Sequence, residues 1–428
     1  MHPALHHALP PALPNPSALA SHWMLDSSVV MLNHGSFGAT PRVILTRQEQ
    51  LRQQMEAEPV GFFVEALEPL LDTARSALAA FLACDSDDLA FVPNASAGVS
   101  TILRSLRFEP GDEILAFHHE YNACKNALLH IARQNGARVV IVRFPFPAGS
   151  SEQIAHAITS AITPRTRLLL LSHITSPSAT LCPAAEIIRF AQTQGVDVLL
   201  DSAHGPGNIP LDLKALGAAY TTGNLHKWCC AGKGTAFLHV RRDRQHLISP
   251  LIISHGANSK RTDRTRFRLE ADFTGTQDLS GPLSLPEVLQ FLPSLLPAAS
   301  WQAVMAHNHA LAQQGAGILA AALGTSPALP RHLATSMALV PLPRHDDAVE
   351  ARLKAMPTRY EDALQDRLLQ RHRVQVPILR MPQFESETAF PDTGPTRHAR
   401  ISAQLYNSPS QYSYLAEALK VELAAECE

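Results

Sequence analysis

A lysine, an aspartate and a short run of small residues carry the chemistry that this chain could perform. Lys227 stands in TTGNLHKWCCAGKGTAFLHV, Thr221 to Val240, flanked by His226 and Trp228 and followed by a Gly-rich turn. Desolvation beside an indole lowers a lysine's pKa and favours the free amine that forms an imine with a carbonyl. Asp201 ends the apolar run of VDVLLDSAHGPGNIPLDL, Val196 to Leu213. A carboxylate at such a strand end needs a cationic partner, because burying it alone is expensive, and a protonated pyridine nitrogen would serve. Asn94-Ala95-Ser96-Ala97-Gly98-Val99-Ser100-Thr101 lies between a strand-like run and a helical stripe that starts at Val99. Ser96 is the expected N-cap. The small Ala97 and Gly98 would let a phosphate approach backbone N–H groups at the positive end of the helix. Each piece alone has a plain structural reading: Lys227 lying over Trp228, Asp201 capping a turn, an ordinary capped helix. The combination of anion site, strand-end acid and lysine is what points to chemistry.

Two glycine-rich stretches are set aside. Gly205-Pro206-Gly207-Asn208-Ile209-Pro210 has Pro210 where a dinucleotide fingerprint needs its third glycine. Gly232-Lys233-Gly234 lacks the earlier glycine and the following Ser or Thr of a phosphate loop.

Positioning these residues requires a buried sheet. Arg138–Phe144, Arg167–Ile174 and Val196–Leu200 are β-branched or leucine-rich runs of strand length, and Leu89–Val92, Glu113–Phe117 and Thr235–Val240 also read as strands. Helical patterns separate them. Leu67, Leu70, Leu71, Ala74, Leu78, Phe81 and Leu82 share one stripe, Val99, Ile102, Leu103 and Leu106 another, and Asn122–Gln134 stops before Gly136. Continuous apolar strands alternating with helices predict an α/β domain with a mostly parallel sheet. Beyond Gly281 the helices His309–Leu323, Arg359–Arg371 and Gln411–Ala425 alternate with strands at Met337–Leu342, Val374–Leu379 and Arg397–Gln404, which predicts a smaller α+β domain. The expected division is a flexible N-terminal tail over 1–27, a large domain over 28–280 and a small C-terminal domain over 281–428. The Pro-, Ala- and His-rich tail would be loosely held, or an arm that orders on a partner subunit.

Composition excludes several classes. The 36 basic and 38 acidic residues form no stripe for nucleic acid. No apolar stretch reaches the roughly 18 residues that span a bilayer, and the N-terminus lacks the pattern of a secretory signal, so a cytoplasmic protein is expected. The six cysteines form no C-x-x-C pair, and the 21 histidines include no H-E-x-x-H, so no metal site is expected.

DSAHGPGNIPLDL followed by GNLHKW and GKGTAFL resembles the fold-type-I, class V aminotransferase-related pyridoxal-phosphate enzymes. LNHGSFGATP, HEY, SHITSP and RISAQLYN are similar to the isopenicillin N epimerase-like branch, and the likeness runs from about Leu32 to Tyr406. The resemblance implies a large domain with a seven-stranded type of sheet and pyridoxal 5′-phosphate as cofactor. It makes Lys227 the catalytic lysine that joins the cofactor, and Asp201 the acid that keeps the ring nitrogen protonated. His204 would lie at the phenolic edge of the ring. His226, Asn224, Ser96, Ala97 and Gly98 would surround the phosphate. His119 would stack on the ring, with Tyr121 as its rival, while His118 merely ends a strand. Ser176 stands where many class V members carry an Asn, which weakens that hydrogen bond. Thr276 would reach the phosphate of a neighbouring subunit, making the active site a homodimer's. Arg400 would hold a substrate carboxylate, and Asn33, with His34 and Phe37, would line the entrance.

The implied substrate is a small amino-acid-type molecule. It would displace Lys227, which would then remove the α-proton while Asp201 stabilises the carbanion through the ring. Return of the proton on the opposite face is epimerisation, the first expectation. The alternatives are a C–S β-lyase of the hercynylcysteine sulfoxide lyase type, an aminotransferase, or a catalytically silent binding protein that keeps the fold. A cysteine desulfurase is disfavoured, because the only cysteine after Cys230 is Cys427.

Overall fold

The computed structural model describes residues 12–381 and 396–427. Its main sheet has seven strands, in spatial order Leu89–Val92, Ala236–Val240, Tyr220–Asn224, Asp197–Asp201, Thr166–Ser172, Glu113–Phe117 and Arg138–Val142. Ala236–Val240 runs antiparallel to both neighbours, and the other pairings are parallel. Leu168–Leu171 and Val198–Leu200 are buried throughout, as expected for strands covered on both faces. One face packs against Ile102 and Leu103 of helix Ala95–Ser105 and Leu128 and Ile131 of helix Asn122–Asn135. The other packs against Ile154 and Ile158 of helix Ser151–Thr159 and Ile187 and Ile188 of helix Ala184–Thr193. The architecture is therefore the expected one: α/β, with a large, mostly parallel sheet and a small antiparallel C-terminal sheet.

Two elements were invisible to apolar periodicity. Tyr220–Asn224 is a strand of sequence YTTGN, buried at every residue despite its polar character. Helix Arg42–Ala57 buries only Ile44, Gln48, Leu51 and Met55, a narrow stripe with an amide inside it. The expected strand Val374–Leu379 is instead divided. Val374–Gln375 pairs in parallel with Val30–Met31, whereas Ile378–Met381 joins the small sheet beside Thr396–Ser402. Pro377 separates them, and a residue without an N–H cannot sustain a ladder.

The small sheet, completed by Met337–Pro341, is covered by helices Trp301–Leu323 and Pro409–Ala425. The expected division of the chain meets two exchanges in the packing. Val30 and Leu32 belong to the core that contains Leu319, Val340 and Leu415, whereas Leu285 and Val288 pack with Ile44 and Leu78. Residues 17–23, expected in a loose tail, dock on the chain itself: the Ser17 N–H donates to the Tyr406 carbonyl, and Trp23 is buried against the Tyr406 ring. Residues 1–11 of that tail lie outside the described residues. Among the described residues no helix is long and apolar enough to cross a membrane, and no cluster of His, Cys, Asp or Glu could hold a metal ion.

Candidate active site

The parallel strands deliver their last residues to one cleft, the usual ligand crevice of an open α/β sheet. Ser172, Asp201 and Asn224 each end a strand there, and Asn94–Ser96 follow the end of Leu89–Val92. Ser36, Phe37, Tyr121, Ser176, His204, His226, Lys227 and Lys233 complete most of its lining. Lys227 and Asp201 therefore share one cavity.

Asp201 is buried, with Oδ1 accepting the Ala203 N–H at 2.9 Å and Oδ2 accepting only the Cys124 thiol at 3.3 Å. Burial raises its pKa against the pull of the N–H, the thiol and the Lys227 charge. The Lys227 amine lies 3.3 Å from His204 Nε2, and the His204 Nδ1 accepts the Trp228 indole N–H at 3.3 Å. That second bond puts the proton of a neutral His204 ring on Nε2. Burial first, then repulsion from Arg400, lowers the Lys227 pKa to about 8. Burial alone would hold His204 neutral, and Lys227 adds to the effect.

The loop that carries Lys227 is fixed from behind. Gly38 sits at φ +69°, and a Cβ there would lie 2.0 Å from the His226 carbonyl oxygen and 2.9 Å from Lys227 Cα. Any side chain would push the lysine out of place. His34, expected at the entrance, is buried beneath: its Nε2 lies 3.0 Å from the Lys227 carbonyl oxygen and its Nδ1 lies 2.9 Å from the Tyr406 hydroxyl.

The helix start differs in detail from expectation. Asn94, not Ser96, is the N-cap, its side chain accepting the Ala97 N–H at 2.9 Å. Asn224 ties strand to helix by accepting the Ala95 N–H at 2.8 Å. Ser96 lines the cleft, whereas Ala97 lines a neighbouring apolar cavity. Gly98 faces the sheet: a Cβ there would meet Thr222 Oγ1 at 2.1 Å, so its smallness serves helix–strand packing. His226 lines the cleft with Nδ1 3.1 Å from the Thr235 carbonyl oxygen.

His119 is not in the cleft. It is fully buried, with Nδ1 2.8 Å from Ser178 Oγ and its ring against Phe144 and Phe146. Tyr121, the rival for the stacking role, lines the cleft and is 47% exposed. The turn over 118–120 carries the chain away from the strand end, so spacing from the strand alone misplaces the ring. Arg400 is buried and donates to the Ser176 carbonyl and, at 3.0 Å, to Ser36 Oγ, both at the cleft wall. Asn33 stands one step behind, its Oδ1 accepting the Ser36 hydroxyl at 2.6 Å. Thr276 is exposed and outside the lining of this chain's cleft. Glu120, Ser172 and Cys124 were given no role from the sequence, although Glu120 and Ser172 stand within HEY and SHITSP and lie near strand ends.

The donor set tests whether pyridoxal phosphate fits. A buried carboxylate with no cationic side chain hydrogen-bonded to it among the described residues, a lysine of lowered pKa in the same cleft, and a helix N-terminus beside them suit its ring nitrogen, aldehyde and phosphate. The Aminotransferase class-V family model matches residues 32–350, and the chain belongs to that family. It is a pyridoxal-phosphate-dependent enzyme. Similar proteins include the isopenicillin N epimerase of Amycolatopsis lactamdurans, 32% identical, with 92% of this chain and 96% of the relative covered. Another is the putative L-cysteine desulfhydrase 1 of Oryza sativa subsp. japonica, 30% identical, covering 92% and 83%. Among solved structures, the cystine C–S lyase C-DES in complex with its product cysteine persulfide shares the fold at a TM-score of 0.72. It is 20% identical, with 92% of this chain and 97% of that chain covered.

Proposed function

We propose that this enzyme removes the α-proton of an amino-acid-type substrate on the face where Lys227 stands, while a second acid delivers a proton to the opposite face, as an isopenicillin N epimerase-like enzyme. The observation that carries the reading is the pairing of Lys227, its pKa lowered to about 8, with Asp201 in one cleft. Bound there, pyridoxal phosphate supplies an electron sink for a carbanion at the substrate α-carbon. Lys227 would hold the cofactor's aldehyde and, as a free amine, would take the α-proton. Asp201 keeps a proton on the ring nitrogen. His204 accepts from Trp228 and steers its own N–H toward the phenolic edge and the lysine. Ser96, Asn224 and His226 would hold the phosphate, and Tyr121, which lines the cleft, rather than the buried His119 would offer the ring a flat partner. Arg400, with Ser36, Ser176 and Asn33 orienting its fork, takes the substrate carboxylate. A second copy of the chain would bring its Thr276 to this phosphate. The exposed Leu251, Ile252 and Ile253 near the neighbouring apolar cavity support such a homodimer.

A second reading is β-elimination from a cysteine-type substrate, favoured by the name of the rice relative and by the 3.3 Å Lys227–His204 contact as a proton path toward a departing sulfur. Incubation with a panel of amino acids in deuterated water separates the two. Deuterium at the α-carbon with inversion is expected. Release of pyruvate, ammonia and sulfide establishes the lyase instead, and no exchange with any amino acid overturns both.

A further inference from the structure

Beside Asp201 lies a second buried carboxyl group that the reaction above does not use. Glu120 is fully buried, and both of its oxygens go to one residue: the Ser172 N–H reaches Oε1 at 2.9 Å, and Ser172 Oγ lies 2.6 Å from Oε2. Ser172 and Asp201 are cross-strand partners at the ends of adjacent parallel strands. The register pair Ser172–Asp201 at the floor of the cleft thus brings the two carboxyl groups to either side of Ser172. The groups that face Glu120 are Asp201 across the sheet, Cys124 on helix Asn122–Asn135, Cys182 beyond the Ser172 strand, and the main-chain N–H of Tyr121. His118 and His119 precede it on its own segment and are themselves kept neutral by burial. Among the described residues no Lys, Arg or His forms an ion pair with Glu120.

Two neighbouring carboxylates in a dry site cannot both stay charged. Their surroundings decide which one keeps its proton. Asp201 opens on the cleft, near Lys227, and accepts a backbone N–H and a thiol. Glu120 is shut away from the cleft behind Ser172.

We propose that Glu120 is a positioning residue for Asp201: as a neutral carboxylic acid it grips Ser172 with both oxygens, and it leaves Asp201 the one anionic carboxylate beneath the cofactor ring. The 2.6 Å contact accommodates this state, with the Glu120 O–H donating to Ser172 Oγ. Burial, opposed by the Ser172 hydrogen bond and reinforced by Asp201, raises Glu120 to about 8. The inference rests on Asp201 serving the ring nitrogen.

The test compares wild type with Glu120→Gln, an uncharged side chain of the same shape. A raised carboxyl pKa makes the folded state hold a proton that the unfolded chain releases. The stability it contributes is therefore fully present below the ordinary carboxyl value, declines above it, and is lost as pH rises through about 8. The Tm of the wild-type apoprotein is expected to fall relative to the variant from about pH 5 to about pH 8.5 and to level off above it. In the holoenzymes, the bound cofactor's absorption titrations are expected to coincide below about pH 7, where Glu120 is as uncharged as Gln, and to part above about pH 8, where only the wild type gains a negative charge. A pH-independent Tm difference together with coincident titration curves overturns the proposal. If the variant does not fold, the wild-type infrared spectrum decides. A protonated-carboxyl band present at pH 7 and lost by pH 9.5 supports the proposal, and its absence at pH 7 overturns it. No visible cofactor band in either protein overturns the reading of the whole site as well, whereas a normal band with coincident curves overturns this inference alone.

Discussion

The cleft and the C-terminal domain both bury charge, and they treat it in opposite ways. In the small domain Arg397 meets Asp362 at 3.0 Å through two nitrogens and Glu426 at 2.6 and 2.8 Å. Arg380 adds a bond to Asp362, Arg367 binds both Glu422 and Glu426, and His345 lies 3.0 Å from Glu426. Every buried carboxylate of that cluster has a cation against it, and the cluster ties helix Ala363–His372 and the C-terminal helix to the small sheet. In the cleft Asp201 has a thiol and one N–H and Lys227 has a neutral imidazole, and behind the cleft Glu120 has a serine. Saturated charge there holds architecture together. Incompletely paired charge here is maintained by the surrounding fold and is available to a ligand.

Three experiments break or sharpen that contrast. The largest effect is expected from Lys227→Ala. It should cut turnover by at least about a thousandfold, because the nucleophile and the proton carrier are lost together. It should also abolish the covalent attachment of cofactor that borohydride reduction and mass measurement detect in wild type. Retained attachment would mean that another amine does the work; Lys233, which also lines the cleft, is the one to examine.

Next is Arg397→Met in the saturated cluster. Removing the shared cation leaves Asp362 to Arg380 alone and Glu426 to Arg367 and His345, and a loss of about 3 kcal/mol in unfolding free energy, the low end for breaking a buried pair, is expected from denaturant titration. The cofactor absorption spectrum of the folded variant should match wild type. A spectral change without loss of stability would show that the two regions are not separate in function.

The smallest effect is a pH dependence. The Lys227 pKa is lowered to about 8, so the fraction of free amine rises as pH increases through that value. The initial rate of covalent cofactor capture by apoprotein should increase about tenfold from pH 7 to pH 9 and then level off. A rate still climbing in proportion toward pH 10 would show that the cleft does not perturb the amine.

The sequence by itself singled out Lys227 and Asp201, which line one cleft, and most of the frame. Lys227 and Asp201 were legible because a lysine beside an indole and an acid closing an apolar run contradict their surroundings. The buried strands were legible because they are apolar along their whole length. Tertiary structure alone decided what depends on residues far apart in the chain. It shut His119 into the core and turned Tyr121 to the cleft. It assigned Gly98 to Thr222, gave the helix cap to Asn94, and docked Trp23 on Tyr406. It also set Glu120 and Asp201 on either side of Ser172. The physical reason is that side-chain type and local period report on a residue's nearest neighbours in sequence, whereas burial and the identity of a charge's partner are fixed only when distant strand ends meet.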